Sequence, residues 1–135
     1  MTPVELWTLL AVSLAGGLGA CARYGIDVLS RRVALATTSV PQFPRRLWLI
    51  NISGSLAIGV ILGLVLNRES LPVWGVIFTS GFLGGYTTVS SVSFESVRLI
   101  QSGRLLAGVA HGVMLMMGAF AAALLGVSIG AMLGA

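Results

Sequence analysis

Apolar residues in this chain gather into four long blocks, at about 6–28, 47–66, 72–100 and 105–133, joined by short polar connections. A membrane-crossing helix needs ~20 consecutive, mainly apolar residues. Each block meets that length, so the pattern predicts four transmembrane helices. Three blocks are almost wholly apolar; the third is not. Residues 81–96 read GFLGGYTTVSSVSFES, with two adjacent glycines, a tyrosine, two threonines, four serines and a glutamate. Unpaired backbone groups are costly in hydrocarbon, so a helix breaks there only where protein or a water-filled cavity covers the break. Glycine reaches positive φ without steric cost, which makes Gly84 and Gly85 the expected place for the chain to leave helical geometry. The third helix is therefore predicted to be broken between residues 84 and 88. Freed carbonyls there can face a cation, and hydroxyls an anion. The plainer alternative is a glycine kink whose hydroxyls bond back to their own helix. The density of polar groups favours a site.

Composition narrows the class. Hydrophobic residues make up 56% of the 135 and charged residues only 9%, against about 25% charged in soluble domains. The expected fold is an all-α integral membrane protein, one four-helix domain over 1–135. The first block has no basic leader and is longer than a signal-peptide core, so it is expected to stay as the first span. The net charge is +4, and all eight basic residues are arginine. In a soluble protein such a balance would suggest nucleic acid. Here the arginines flank apolar blocks and read as orientation signals and lipid-headgroup contacts, with no nucleic acid partner. Cys21 is the sole cysteine, which excludes an intrachain disulfide.

The arginines are distributed unequally. Arg31, Arg32, Arg45, Arg46, Arg98 and Arg104 flank the connections after blocks one and three, and the opposite side has only Arg68. The positive-inside rule places the first set in the cytoplasm of a cell inner (plasma) membrane. The connection at 30–46 contains Pro41 and Pro44, which end any helix before block two. A short turn with Arg68 and Glu69 precedes Pro72, a tolerated first residue for block three.

Individual residues carry two readings each. Arg23 and Asp27 are four apart and could pair on one helix face. Arg23 either snorkels to headgroups, or it braces a neighbouring helix or biases the field at a pore mouth. Asn51 is either interhelical glue or an N–H donor aimed at an anion path. Gly16, Gly17 and Gly19 form a small-residue face. Gly108 with Gly112, and Gly126, Gly130 and Gly134, form small-xxx-small rows for close helix contact. His111, the only histidine, is a poor metal ligand alone and reads as hydrogen-bonded within the bundle, with proton handling as the alternative. Nothing assembles a nucleophile, base and orienting group, so the chain is not read as an enzyme. A small proton-coupled drug exporter would need a membrane-embedded carboxylate. Glu5, Asp27, Glu69 and Glu95 all lie near predicted ends, which weakens that alternative.

Three stretches in order resemble the four-span fluoride channels called Fluc or CrcB. GxxxRY near the end of the first span stands here as Gly19-Ala20-Cys21-Ala22-Arg23-Tyr24. The family's Asn-x-x-Gly-Ser stands as Asn51-Ile52-Ser53-Gly54-Ser55. Its GFxGGxTTFSTFS signature stands as residues 81–93, from Gly81 through Thr87, Thr88, Val89, Ser90, Ser91 and Val92 to Ser93. The resemblance covers essentially the whole chain. It implies an antiparallel dimer that passes fluoride and protects microbes against it. It also implies a structural Na⁺ at the dimer centre, held by backbone carbonyls that map to Gly84 and Thr87. Asn51 maps to a pore-lining asparagine. The hydroxyls of Thr88, Ser90, Ser91 and Ser93 are further candidates for the ion pathway, since a dry pore must replace fluoride's water with good donors.

The departures matter equally. Val89 and Val92 stand where the family has phenylalanines whose electropositive ring edges meet the anion. By glycine spacing, Ala110 and Met114 fall where the family's fourth span carries a Tyr and a Ser. A strongly asymmetric arginine distribution also disfavours insertion in both orientations. The chain is therefore expected to pair with a second homologous subunit of opposite orientation, as a heterodimer rather than a homodimer. A non-conducting scaffold partner of such a channel is the alternative.

Overall fold

The computed structural model describes residues 2–37, 45–66 and 71–134, with the side chains of residues 31, 33–37 and 45 left out of that description. Pro41 and Pro44, and the turn with Arg68 and Glu69, lie outside the described residues. All regular structure among the described residues is helical. Helix α1 covers Pro3–Thr37, α2 Arg45–Leu64 and α6 Leu105–Gly134. These three are long and apolar enough to cross a membrane, so this is a multi-pass membrane protein. In α1 the span-length apolar part is Pro3–Ser30, and the helix continues beyond it to Thr37.

Between α2 and α6 lies a segmented helix. It begins after Pro72 as α3 (Val73–Val76), widens into a π-helical stretch (Ile77–Leu83) and tightens again as α4 (Gly84–Tyr86). It resumes as α5 (Ser90–Gln101) after an interruption at Thr87. The place of the break agrees with the sequence reading, but its cause does not. Gly84 is helical, with φ −61° and ψ −40°. Thr87 makes the break by turning extended, at φ −74° and ψ 157°, a conformation open to any residue. Among the described residues only Gly103 has positive φ, at 81°. Gly85 instead permits close approach: a Cβ there would run into the Gly16 backbone of α1.

The two halves of the segmented helix have different neighbours. The first half packs on α1, where Gly19 meets the Phe82 carbonyl and Gly81 meets Val12 and Ala15. The second half packs on α6, where Gly108 meets Ser96 and Ile100. The long seam joins α2 to α6. Gly59 and Gly63 lie against Ala123 and Val127, while Gly126 and Gly130 lie against Leu56 and Val60. The small-residue row of α6 thus finds its partner inside the chain, with backbone against backbone. Leu47, Val92 and Leu115 form a buried cluster that Trp48 flanks. Phe78, Phe82 and Tyr86 stack in succession, with centroids 5.3 and 6.1 Å apart. Helix α5 ends at Gly103 in a Schellman turn. Arg104 N–H donates to Leu99 and Gly103 N–H to Ile100.

Candidate functional site

The break is held by one side chain from α2. Asn51 is buried, 5% exposed. Its Oδ1 accepts the Thr88 N–H at 2.9 Å, and its Nδ2 donates to the Leu47 carbonyl at 2.8 Å. These partners fix the amide's orientation, because one can only donate and the other only accept. In a continuous helix the Thr88 N–H would bond to the Gly84 carbonyl. Thr88 Oγ1, in turn, accepts the Ser91 N–H at 3.2 Å and so starts α5. That hydroxyl also lies 3.1 Å from Ser90 Oγ and 3.2 Å from Ser91 Oγ. A cluster of three hydroxyls therefore sits on the C-terminal side of the break. Gly54 allows it room on the other side, packing against Thr87 and Tyr86.

Two grooves approach this cluster. The first, of about 610 Å³, is lined by Arg23, Tyr24, Asp27, Arg46, Ser90, Ser91 and Phe94, with Ala20, Leu47 and Ile50 at its floor. The second, of about 360 Å³, is lined by Asn51, Ser55, Gly84, Thr87, Thr88, Val89 and Val92. Helix α6 contributes Gly112, Leu115, Met116 and Ala119 to it, where glycine spacing pointed to Ala110 and Met114. Ser90 and Ser91 line one groove and Thr88 the other, so the hydroxyl cluster joins the two. Ser93 is exposed, and its Oγ donates to the Val89 carbonyl at 3.1 Å. Val89 is 69% exposed, whereas Val92 belongs to the buried cluster and is 8% exposed.

Asp27 bonds across helices. Its Oδ1 lies 2.6 Å from Nε of Arg46 on α2, where the four-residue spacing pointed to Arg23. The α1–α2 crossing explains this, since it brings the start of α2 alongside the Asp27 turn. Among the described residues, the first groove thus holds two guanidiniums and one carboxylate, with one positive charge in excess.

A second buried polar contact lies beneath the Leu47 cluster. Trp48 Nε1 donates to Nδ1 of His111, 3.4 Å away, and His111 is 1% exposed. Indole can only donate, so Nδ1 must be the accepting nitrogen. Replacing His111 by phenylalanine takes that acceptor away and is expected to cost about 1–3 kcal/mol. Glutamine, which keeps an acceptor, is expected to lose less. Thermal melting of both variants in detergent checks this, and equal losses would contradict a role for the bond.

Comparison with known proteins follows the same lines. The family model described as "CrcB-like protein, Camphor Resistance (CrcB)" matches residues 10–127. The chain belongs to this family. A relative from Leifsonia xyli subsp. xyli, named fluoride-specific ion channel FluC 1, is 41% identical over 130 residues, 96% of this chain and 89% of that protein. A fluoride-specific ion channel FluC from Methylobacterium sp. is 39% identical over 121 residues, 89% of this chain and 90% of the relative. FluC 2 of Bacillus subtilis is 37% identical over 91 residues, 67% of this chain and 63% of the relative. As a CrcB-family member the chain is of a channel class rather than an enzyme class.

Several residues of this CrcB-family site escaped the sequence reading. Phe94 is 69% exposed and lines the first groove beside Ser90. Its position four residues after Ser90 was the available signal. The Asp27–Arg46 pair had no local signal, because its partners lie on different helices. The widening at Ile77–Leu83 falls on IFTSGFL, where Thr79, Ser80 and Gly81 were the available signal.

Proposed function

We propose that this chain is a subunit of a passive fluoride channel of the cell inner (plasma) membrane, working as an antiparallel dimer. The observation that carries the reading is the hydroxyl cluster of Thr88, Ser90 and Ser91, which links two grooves across a helix break. The names of the relatives supply the ion, because hydroxyls and an amide alone suit any small anion. In this reading the segmented helix at 73–101 is the fourth crossing, and 1–135 is one membrane domain.

Fluoride is small and strongly hydrated, so a dry path must offer donors in place of water. Serine and threonine hydroxyls rotate to aim their protons at a passing anion. Thr88, Ser90 and Ser91 would hand fluoride between the grooves, with Ser93 and Val89 on the exposed flank. The Leu47 bond takes one N–H of the Asn51 amide, which leaves the other for the second groove. Arg23 attracts the anion at the first groove. Val92 lines the second groove from within the core and adds no aromatic edge.

Open grooves that carry charged, amide and hydroxyl side chains are costly to leave facing hydrocarbon. A second subunit would cover them, and the arginine asymmetry favours a homologous partner of opposite orientation over a second copy. That partner could supply the aromatic edges missing at Val89 and Val92. A structural Na⁺ fits the donor set at the break. In a continuous helix the Gly84 carbonyl would receive the Thr88 N–H and the Thr87 carbonyl the Ser91 N–H. Both donors are diverted to side-chain oxygens, so both carbonyls are available as uncharged ligands. Bound there, Na⁺ would supply a fixed positive charge that holds the broken backbone.

Fluoride efflux from liposomes tests the reading, with this chain alone and then with its homologue, and with chloride as control. Fluoride-selective efflux is expected from the pair. Efflux by the chain alone would sink the heterodimer. If Val89→Phe and Val92→Phe leave the flux of an intact pair unchanged, the chain is a non-conducting scaffold. Absence of selective flux from folded protein in both cases would remove the channel reading.

A further inference from the structure

The resemblance places Asn51 in the anion path and the Gly84 and Thr87 carbonyls at a cation, as separate parts. The hydrogen bonds connect them. Asn51 Oδ1 takes the N–H that helical geometry would return to Gly84. That bond also seats Thr88, whose Oγ1 takes the N–H that would return to Thr87. The two carbonyls lose their helical donors to two neighbouring side chains, and Asn51 anchors both diversions from α2. Its own second bond, to Leu47, ties the amide to the buried cluster. The Thr87 side chain adds to the arrangement: its N–H and Oγ1 both bond to the Leu83 carbonyl, at 2.9 Å each. That fixes Thr87 as the last residue of the first half, where ψ turns to 157° and takes its carbonyl out of the helical direction.

We propose that Asn51 is a positioning residue for the cation site: by capturing the Thr88 N–H it keeps the Gly84 and Thr87 carbonyls unpaired and turned outward for Na⁺. The inference rests on the cation reading above and adds a cause to it. Without the Asn51 acceptor, the Thr88 N–H is expected to fall back toward Gly84, and the break closes by part of a turn. Among the described residues no three His, Cys, Asp or Glu side chains come together, so backbone oxygens are the ligands that such a collapse would remove. Residues that orient metal ligands without touching the metal typically change affinity by 10–100-fold.

The test is melting of the assembled protein in detergent, titrated with NaCl against N-methylglucamine chloride at constant ionic strength. Wild-type protein is expected to gain stability with Na⁺. Asn51→Ala is expected to weaken the apparent Na⁺ affinity by about 10–100-fold. Should Asn51→Ala fail to fold, Thr88→Val and Thr88→Ser replace it. The valine is expected to lose the response, and the serine, which keeps the hydroxyl, to retain it. If wild-type protein responds and Asn51→Ala and Thr88→Val respond equally, the positioning role is wrong and the cation reading survives. If wild-type protein shows no Na⁺ response, the cation reading fails and takes this inference with it.

Discussion

Alanine at Gly130 is expected to disrupt the folded bundle, while alanine at Gly25 leaves it intact. Both sites are helical, and they differ in what an added Cβ would meet. At Gly130 it would run into the Val60 carbonyl, and it would lie 2.8 Å from Leu64 N and 2.9 Å from Gly63 Cα. All three are backbone atoms of α2, so no side chain can swing aside. The helices must separate, and the paired glycines above and below lose contact together. Overpacking of this kind costs about 1–3 kcal/mol per site, and the rigid seam places Gly130 at the upper end. At Gly25 an added Cβ meets nothing within 4 Å. There the lower backbone freedom of alanine favours the helix by up to about 1 kcal/mol. Melting curves and size-exclusion profiles in detergent check the pair. Equal behaviour of the two variants would mean that the α2–α6 seam is not where the bundle is held.

Charge reversal at Arg23 is expected to cut fluoride efflux steeply at low salt. The first groove holds Arg23, Arg46 and Asp27, and Asp27 is paired with Arg46. Among the described residues, Arg23 thus supplies the excess positive charge that an anion meets. Glutamate there would turn an attraction into a repulsion. At about 8 Å, one unit charge is worth roughly 0.5 kcal/mol in bulk water and roughly 2 kcal/mol at an effective dielectric near 20. Reversal moves two units, so efflux is expected to fall roughly 10–10³-fold for Arg23→Glu and by the square root of that factor for Arg23→Gln. Raising salt to ~0.1 M shortens the screening length to ~10 Å and should shrink both deficits. A snorkelling arginine with no view of the ion would leave both variants close to wild type. Liposome efflux across a salt series therefore decides between the two readings that the sequence left open.

The sequence reading succeeded where local composition controls the outcome. Apolar block length predicted α1, α2 and α6, because a span in hydrocarbon must satisfy its backbone internally. The polar run at 81–96 marked the break because such groups need cover. It failed where the cause was a neighbour. Gly84 and Gly85 looked like the hinge, yet Thr87 turns and Gly85 serves contact with Gly16. Asp27 looked like the partner of Arg23, yet it reaches Arg46. Val92 lines the second groove and also forms core with Leu47 and Leu115, a contact that spacing along the chain does not show.

The sequence by itself determined the solvent this chain lives in, the approximate ends of its long helices, and the residues at which polar chemistry meets the membrane. These follow from hydrophobicity and spacing, which are properties of a segment. Only the tertiary structure decided what those residues do to each other. Asn51 acts on the break because the α2 helix passes beside Thr88, 37 positions later in the chain. That meeting depends on the glycine seam that brings α2 and α6 together and on Gly54, which admits Thr87. Such contacts depend on distance in space, and no pattern along the chain encodes them.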